Sequence, residues 1–333
     1  MHASPPRDAP AAGGSGTVAR QRPGEQALAI LAIPLNSMVI RALAEAPMRL
    51  AELRRATGLP AQTTLRGHLA SLEDAGVIDK RPSAQAPHTV ENELTPMGRE
   101  LLGIAEYLDE WLRHAPDGPV SLESGAGKGI VKALIDGWAS TIVRRLAASP
   151  MSLTELDRVI ADLSYPSLER RLSSMRMAGL IEARESHGGG TPYAVTDWAR
   201  LGVAPLVTAS RCEHLHMGRK AAPVTQEDIE AAFLLVTPLV GLPASTNGTC
   251  QLEVEADPAL QRDHAGVQVT IAQGRVVGCD SHLASSPNDF AVGSASTWLS
   301  AVEEGRAGLL RFGGRRRVAE GVVLGLHAAM VIQ

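Results

Sequence analysis

Residues 41–78 align without a gap on residues 144–181, and this internal duplication limits the possible folds of the chain more than any other feature. Arg41, Leu43 and Ala44 recur as Arg144, Leu146 and Ala147. Pro47, Met48, Leu50, Glu52, Leu53 and Arg55 recur as Pro150, Met151, Leu153, Glu155, Leu156 and Arg158. Leu65, Leu69, Ser71, Ala75, Gly76 and Ile78 recur as Leu168, Leu172, Ser174, Ala178, Gly179 and Ile181. A chain of 333 residues is too long for one ordinary core, and the repeat says that two of its units share one plan.

The plan can be read from periodicity. Met38 to Ala44 is an apolar helical stretch ended near Pro47. Leu50 and Leu53 share a face of a short second helix that stops at Gly58-Leu59-Pro60. From Ala61 to Ala75, Leu65, Leu69 and Leu72 fall at i, i+4 and i+7, one apolar stripe of a third helix. Gly76 suits a left-handed cap. Val77-Ile78 then starts a strand, and the alternation of Val90, Asn92 and Leu94 gives a second, together a two-stranded wing. Thr95-Pro96 supplies an N-cap and a first-turn proline for a helix running to about Trp111-Leu112. The second copy follows with a third helix near Pro166 to Ala178, Leu168, Leu172 and Met175 facing inward. Its wing turns at Gly188-Gly189-Gly190, and Thr196 caps a last helix. Helix, helix, turn, helix, wing and closing helix make the winged helix-turn-helix plan, whose third helix enters the DNA major groove.

The segments RALAEAPMRLAELRRATGLPAQTTLRGHLASLEDAGVIDK and ENELTPMGRELLGIAEYLDEWL resemble the HxlR family of winged-helix repressors, related to MarR, over about residues 26–218. In that family two chains pair through their first and last helices, so the resemblance implies that a duplicated chain forms the pair internally as a pseudo-dimer, with further homodimerisation open. Trp138 stands where the family often carries a first-helix tryptophan, whereas the first repeat has Leu35 there.

DNA affinity rests on cations facing phosphates, with base edges read by the side chains beside them. Residues 26–114 carry 9 Lys/Arg against 11 Asp/Glu, and residues 128–220 carry 13 against 9, so electrostatics favour the second unit. On the first third helix Thr63, Gly67 and Ala70 lie opposite the leucine stripe, with Thr64, Arg66 and Ser71 on the flanks. On the second, Arg170 replaces Gly67 and is joined by Ser167, Arg171 and Ser173, with Glu169 opposing them. Lys80, Arg81 and His88, and Arg184 and His187, are the wing candidates. The alternative for any one of these is that it solvates a helix surface, the ordinary state of an outward face. Leu35, Met38, Trp111 and Trp138 are the candidate lining of an apolar or aromatic ligand pocket between the repeats, the alternative being plain core.

After about Lys220 the pattern changes. An apolar helix from Thr225 to Leu239 precedes alternation at Cys250, Leu252 and Val254 and again at Val267, Val269 and Ile271, with Gln273-Gly274 as a turn and Ser294 to Val302 helical. The end reads as a strand, a Gly-Gly turn and a closing helix. The layout of VQVTIAQGRVV and AVGSASTWLSAVEEGRAGLLRFGG resembles the sterol-carrier-protein-like domain, which implies a lipophilic pocket or a packing module. Its 7 basic against 12 acidic residues set it off DNA.

The expected fold class is therefore mainly α with β wings, two tandem winged units, plus a C-terminal α+β domain. The expected divisions are a disordered leader (1–25), unit 1 (26–114), a linker (115–127), unit 2 (128–220) and the C-terminal domain (221–333). Met1 to Arg22 lacks the basic start and apolar centre of a signal peptide, no apolar run reaches the length of a span, and Cys212, Cys250 and Cys279 are too scattered for a disulfide framework; a cytoplasmic protein is expected. Gly125-Ala126-Gly127-Lys128-Gly129 departs from a phosphate loop at Leu122 and Gly129. Cys212, His214 and His216 do not share one helical face as metal ligands would, and Asp280-Ser281-His282 lacks a catalytic setting. No cofactor or enzymatic activity is expected. The sequence points to a ligand-responsive transcriptional regulator that binds DNA and senses an apolar or aromatic small molecule, with a natural product expected; the rival is a protein with little DNA affinity that sequesters such a molecule for self-resistance.

Overall fold

The computed structural model describes residues 22–82, 89–138, 141–160, 163–185, 190–256 and 265–330; of residues 137, 138 and 141 it describes the backbone. The first unit runs α1 (Glu25–Leu31), α2 (Pro34–Glu45), α3 (Leu50–Ala56), α4 (Gln62–Asp74), β1 (Ile78–Pro82), β2 (Val90–Leu94) and α5 (Pro96–Arg113). Pro34 at the first position of α2 cannot continue α1, and the two axes meet at 85°. Among the described residues no single helix is long and apolar enough to cross a membrane; the α1–α2 pair reaches that length only with this bend. Its apolar residues Ala27, Leu28, Leu31, Val39 and Ile40 are buried in the core.

The stripe Leu65, Leu69 and Leu72 of α4 is buried, as its spacing predicts. α4 ends at Gly76, whose φ of 73° is a conformation that a side chain resists. There the Gly76 N–H bonds to Glu73 O at 2.9 Å and the Val77 N–H to Leu72 O at 2.8 Å, satisfying two terminal carbonyls. β1 and β2 pair antiparallel from Ile78↔Leu94 to Pro82↔Val90, and Met48 bridges to Asn92 beside them. The Thr95 hydroxyl accepts the Gly98 N–H at 3.1 Å and donates to Gly76 O at 2.7 Å, tying the start of α5 to the end of α4. Thr95→Ala removes both bonds and is expected to lower unfolding free energy by about 1–2 kcal/mol, read from the urea midpoint.

The second repeat shows the same order of elements: α6 (Gly125–Trp138), α7 (Thr141–Ala148), β3 (Met151–Ser152), α8 (Leu153–Val159), α9 (Tyr165–Met177), β4 (Ile181–Ala183), β5 (Pro192–Val195), α10 (Asp197–Leu201) and α11 (Val203–His216). Its sheet order is β3-β5-β4, with Met151↔Tyr193 taking the place of Met48↔Asn92. The stripe Leu168, Leu172 and Met175 is buried. Gly179, at φ 71°, donates to Arg176 O, and the Thr196 hydroxyl donates to Gly179 O at 2.9 Å and accepts from Ala199 N at 3.1 Å, repeating the joint around Gly76 and Thr95.

Three sequence expectations need correction. The Gly-rich run at 125–129 is not linker but the first turn and a half of α6, where the Ser124 hydroxyl accepts the Gly127 N–H at 2.9 Å. A Cβ on Gly127 would stand 2.2 Å from Ser121 O, so close backbone approach demands glycine. The last helix of the second unit is not continuous either. Pro205 has no N–H to offer Leu201 O, and the helix breaks at Gly202 into α10 and α11. Finally, Gly313-Gly314 belong to a strand rather than a turn.

The C-terminal region contains α12 (Gln226–Val236), a 3₁₀ turn at Thr237–Leu239, β6 (Gly248–Val254), β7 (Ala265–Ala272), β8 (Arg275–Asp280), β9 (Asp289–Gly293), α13 (Ala295–Glu303), β10 (Arg311–Gly314) and α14 (Arg317–Met330). The sheet order is β10-β9-β6-β7-β8, with β6 and β9 parallel and the other neighbours antiparallel. Cys250, Leu252, Val254, Val267, Val269 and Ile271 are buried where α12 and α14 pack on the sheet. Phe233 meets Trp298 edge to face at 4.7 Å, and the indole N–H of Trp298 donates to Glu253 O at 2.8 Å.

This region sits on the second repeat. Arg144 of α7 pairs with Glu230 of α12, Arg200 of α10 donates to Leu234 O and Leu235 O at 2.9 and 3.0 Å, and Arg211 of α11 pairs with Glu303 at 3.2 Å. The two repeats meet through α1 against α6 and α11 and through α5 against α11.

Candidate nucleic-acid interface

Burial of the leucine stripe turns the opposite side of α4 outward, and Thr63, Thr64, Arg66 and Ser71 are all exposed. The roll of the helix is fixed from behind. His68 Nδ1 lies 2.8 Å from Asn36 Oδ1 of α2, and the Asn36 amide donates to Ile30 O of α1 at 3.1 Å. On the wing Lys80 pairs with Glu73, and Arg81 pairs with Glu93 at 2.9 Å and Glu91 at 3.7 Å. These cations are offset by carboxylates of their own unit. His88 lies outside the described residues.

On α9, Arg170 and Ser173 are exposed, while Ser167 and Arg171 are half-buried. The Arg170 guanidinium turns back on its own helix, donating to Pro166 O at 3.3 Å and the Ser167 hydroxyl at 3.4 Å. Among the described residues no ion pair engages Arg66, Arg170 or Arg171. Arg184 of the second wing lies 3.4 Å from Glu182, both more than half exposed, and His187 is outside the described residues.

Sequence reasoning passed over several groups on the same two surfaces. Arg55 and Arg158 are exposed at matching positions of α3 and α8, a signal that the repeat itself held. Arg54 is exposed and donates to Pro60 O at 2.9 Å, and Arg176 is exposed late on α9. Tyr165, 46% exposed, begins α9, and Met177, 76% exposed, ends it. Arg49 donates to the Glu52 carboxylate through its backbone N–H at 2.8 Å and through its guanidinium, and these donors hold the Glu52 carboxyl down at about 2.

Of the four pocket candidates, Leu35, Met38 and Trp111 line neither of the apolar cavities among the described residues. Met38 is exposed at 38% and Leu35 is half-buried. Trp111 is buried and taken up by Trp198, whose ring stacks on it at 4.3 Å with the planes 5° apart. The Trp138 side chain is outside the described residues. Among the described residues, two small apolar cavities and one wider, more polar one are present. One of about 30 Å³ lies among Val207 of α11, Phe233, Trp298 and Val302, and one of about 20 Å³ among Leu134, Val143, Met175 and Leu235. The third, of about 450 Å³, lies open among Arg306, Leu309, Glu320 and Leu324.

Burial pushes the thiols of Cys212, Cys250 and Cys279 up to about 12, so they stay protonated at neutral pH. Cys212 is buried and His214, two residues on, is exposed on another side of α11, whereas His216, one turn beyond Cys212, pairs with Glu100 at 3.1 Å.

An exposed helix face backed by a buried leucine stripe, preceded by a short helix and followed by a two-stranded hairpin, defines a helix-turn-helix domain with a wing. Residues 35–117, spanning α2 through α5, match the HxlR-like helix-turn-helix family and form a domain of that kind. The chain is also 39% identical over 75 residues to an uncharacterized HTH-type transcriptional regulator, BH0655, of Halalkalibacterium halodurans. That alignment covers 22% of this chain and 66% of the relative, so the chain spans just under two thirds of the relative's length.

Proposed function

We propose that this chain is a DNA-binding transcriptional regulator in which residues 128–220 act as a second winged helix-turn-helix unit beside the first. The observation that carries the reading is the matched pair of third helices, each with its leucine stripe fully buried and the opposite face left to solvent. Packing of α1, α5 and α11 into one seam supports an internal pseudo-dimer, since first and last helices are what an HxlR-like pair would bring together. The C-terminal region, acidic and docked on α7, α10 and α11, acts in this reading as a sterol-carrier-like module coupled to the second unit.

Response to an apolar or aromatic ligand belongs to this reading through a state in which the joint around Val207, Phe233 and Trp298 opens. A ligand shifts the balance between two arrangements only by its preference for one of them. The rival reading, sequestration of a small molecule, draws on the pairing of Lys80 with Glu73 of α4 and of Arg81 with Glu93 of its own wing. It needs a site of metabolite size; among the described residues the apolar cavities hold about 30 and 20 Å³, and an open, more polar one of about 450 Å³ lies beside Arg306 and Glu320.

The test is titration of the full chain with a mixed-sequence duplex of about 40 bp across roughly 50–200 mM KCl. Regulator-type binding gives a logarithm of affinity that falls linearly with log salt, and Arg170→Ala lowers the affinity and reduces the slope by about 1. Absence of any shift at the lowest salt defeats the reading. An unchanged slope in Arg170→Ala defeats the placement of α9.

A further inference from the structure

A pair of identical readers related by a twofold axis presents the same side chains to each half-site, and its preferred DNA is an inverted repeat. The two third helices of this chain are alike in their buried stripe and unlike in their outward charges. Position by position along the repeat, Arg66 of α4 corresponds to Glu169 of α9, Gly67 to Arg170, His68 to Arg171, Glu73 to Arg176 and Asp74 to Met177. Two of these five pairs reverse the sign of the charge, and one more replaces a carboxylate by an apolar side chain. α4 therefore carries one arginine with Glu73 and Asp74 at its end, and α9 carries three arginines with Glu169 alone.

The surroundings deepen the difference. Among the described residues no ion pair engages Arg66 of α4 or Arg170, Arg171 and Arg176 of α9, while Lys80, Arg81 and Arg184 are each paired to glutamates of their own unit, so one unpaired arginine on α4 stands against three on α9. The twofold relation is broken at the back as well. Arg41 of α2 pairs with Asp109 and Glu123 of its own unit and linker, while its counterpart Arg144 is taken by Glu230 and Glu227 of the C-terminal region. The two units are thus fixed in different environments within one chain and cannot exchange roles.

We propose that the DNA recognised by this chain is a non-palindromic duplex, with one dominant half-site held by α9 and a different, weaker half-site met by α4. The inference rests on the DNA-binding reading above and assigns the kind of sequence it reads. Phosphate contacts concentrate on the α9 side, where three unpaired arginines stand against one on α4, and the substitution of Arg170 and Arg171 for Gly67 and His68 changes which base edges each helix can reach.

Selection of the full chain on duplexes with a random core of about 30 bp tests this directly. The expected motif lacks twofold symmetry. Arg170→Ala erases its better-defined half and weakens binding to the selected duplex roughly tenfold or more, a larger loss than Arg66→Ala produces. The combined variant Glu169→Arg, Arg170→Gly, Arg171→His gives α9 the α4 side chains at exposed or half-exposed positions and is expected to move the selected motif toward an inverted repeat. An inverted repeat selected by the unaltered chain, or retention of duplex without any motif, overturns the inference and leaves DNA binding standing. Failure to retain any duplex at low salt overturns the DNA-binding reading, and this inference with it.

Discussion

Trp111→Ala is expected to lower the unfolding free energy by about 3–5 kcal/mol, with the loss read as a shift of the urea midpoint at unchanged slope. Trp111 is 1% exposed and Trp198 7%, their rings stack at 4.3 Å, and the two form a closed reciprocal pair. The indole N–H of Trp111 donates to Trp198 O at 2.8 Å, and that of Trp198 donates to Trp111 O at 2.8 Å. Truncation to alanine leaves a cavity where an indole stood, removes the stacking partner of Trp198, and strips the Trp198 carbonyl of its indole donor, while the Trp198 indole N–H keeps the backbone carbonyl of residue 111. Trp111→Phe and Trp198→Phe separate these contributions. Each keeps an aromatic face and loses one N–H donor, so each is expected to cost less than the alanine change, and the double variant is expected to cost less than the sum of the two because the pair acts as a unit. Because Trp111 ends α5 of the first repeat and Trp198 opens α10 of the second, this pair pins the repeats together. Strict additivity of the two phenylalanine variants would show that the stack carries no coupling.

What the one-dimensional pattern can and cannot show follows from the range of the interactions involved. Leu65 with Leu168, Gly76 with Gly179 and Thr95 with Thr196 were legible because a helix stripe, a left-handed cap and an N-cap are decided within a few residues. Duplication then shows each signal twice. The helix α1 was not singled out, since seven residues ended by Pro34 carry too little periodicity to stand apart from a leader. The break between α10 and α11 was available in Pro205 and was overridden by the apolar run on either side. Trp198 was invisible as a partner of Trp111 because 87 positions separate them. The candidate interface was legible in the identity of its arginines and not in their pairing. Whether Arg81 is free to meet phosphate depends on the β1–β2 register that sets Arg81 across from Glu91 and beside Glu93, which residue counting does not provide. The facing of the pocket candidates is hidden for a related reason. An apolar residue on a first helix can face a seam or solvent, and Met38 faces solvent.

Glu213→Ala is expected to cost about 2–4 kcal/mol, because it orphans backbone donors that have no other partner inside the seam. Glu213 of α11 is fully buried, and its two carboxylate oxygens accept the N–H groups of Gly24 and Ala27, each at 2.9 Å, where α1 begins. Gly24 itself is held at φ 80°, and a Cβ there would lie 2.8 Å from Leu206 O, so the helix start and α11 are fitted backbone to backbone. Two opposing effects act on the carboxyl. Burial disfavours its charge and dominates, raising its pKa above the ordinary 4.5, while the N–H donors of Ala27, Gly24 and Gln26 pull it back. A carboxyl whose folded pKa is raised binds more protons folded than unfolded. Its contribution to stability is then complete below the ordinary carboxylate range and declines as pH rises through the elevated folded value. The margin of the unaltered chain over the non-titrating Glu213→Gln variant is therefore expected to be largest near pH 4 and to shrink toward neutrality, measured by urea unfolding of both proteins over that range. A margin that instead grows with pH would mean that the backbone donors outweigh burial and that the carboxylate is held as an ion, making the start of α1 a charged clasp between the two repeats.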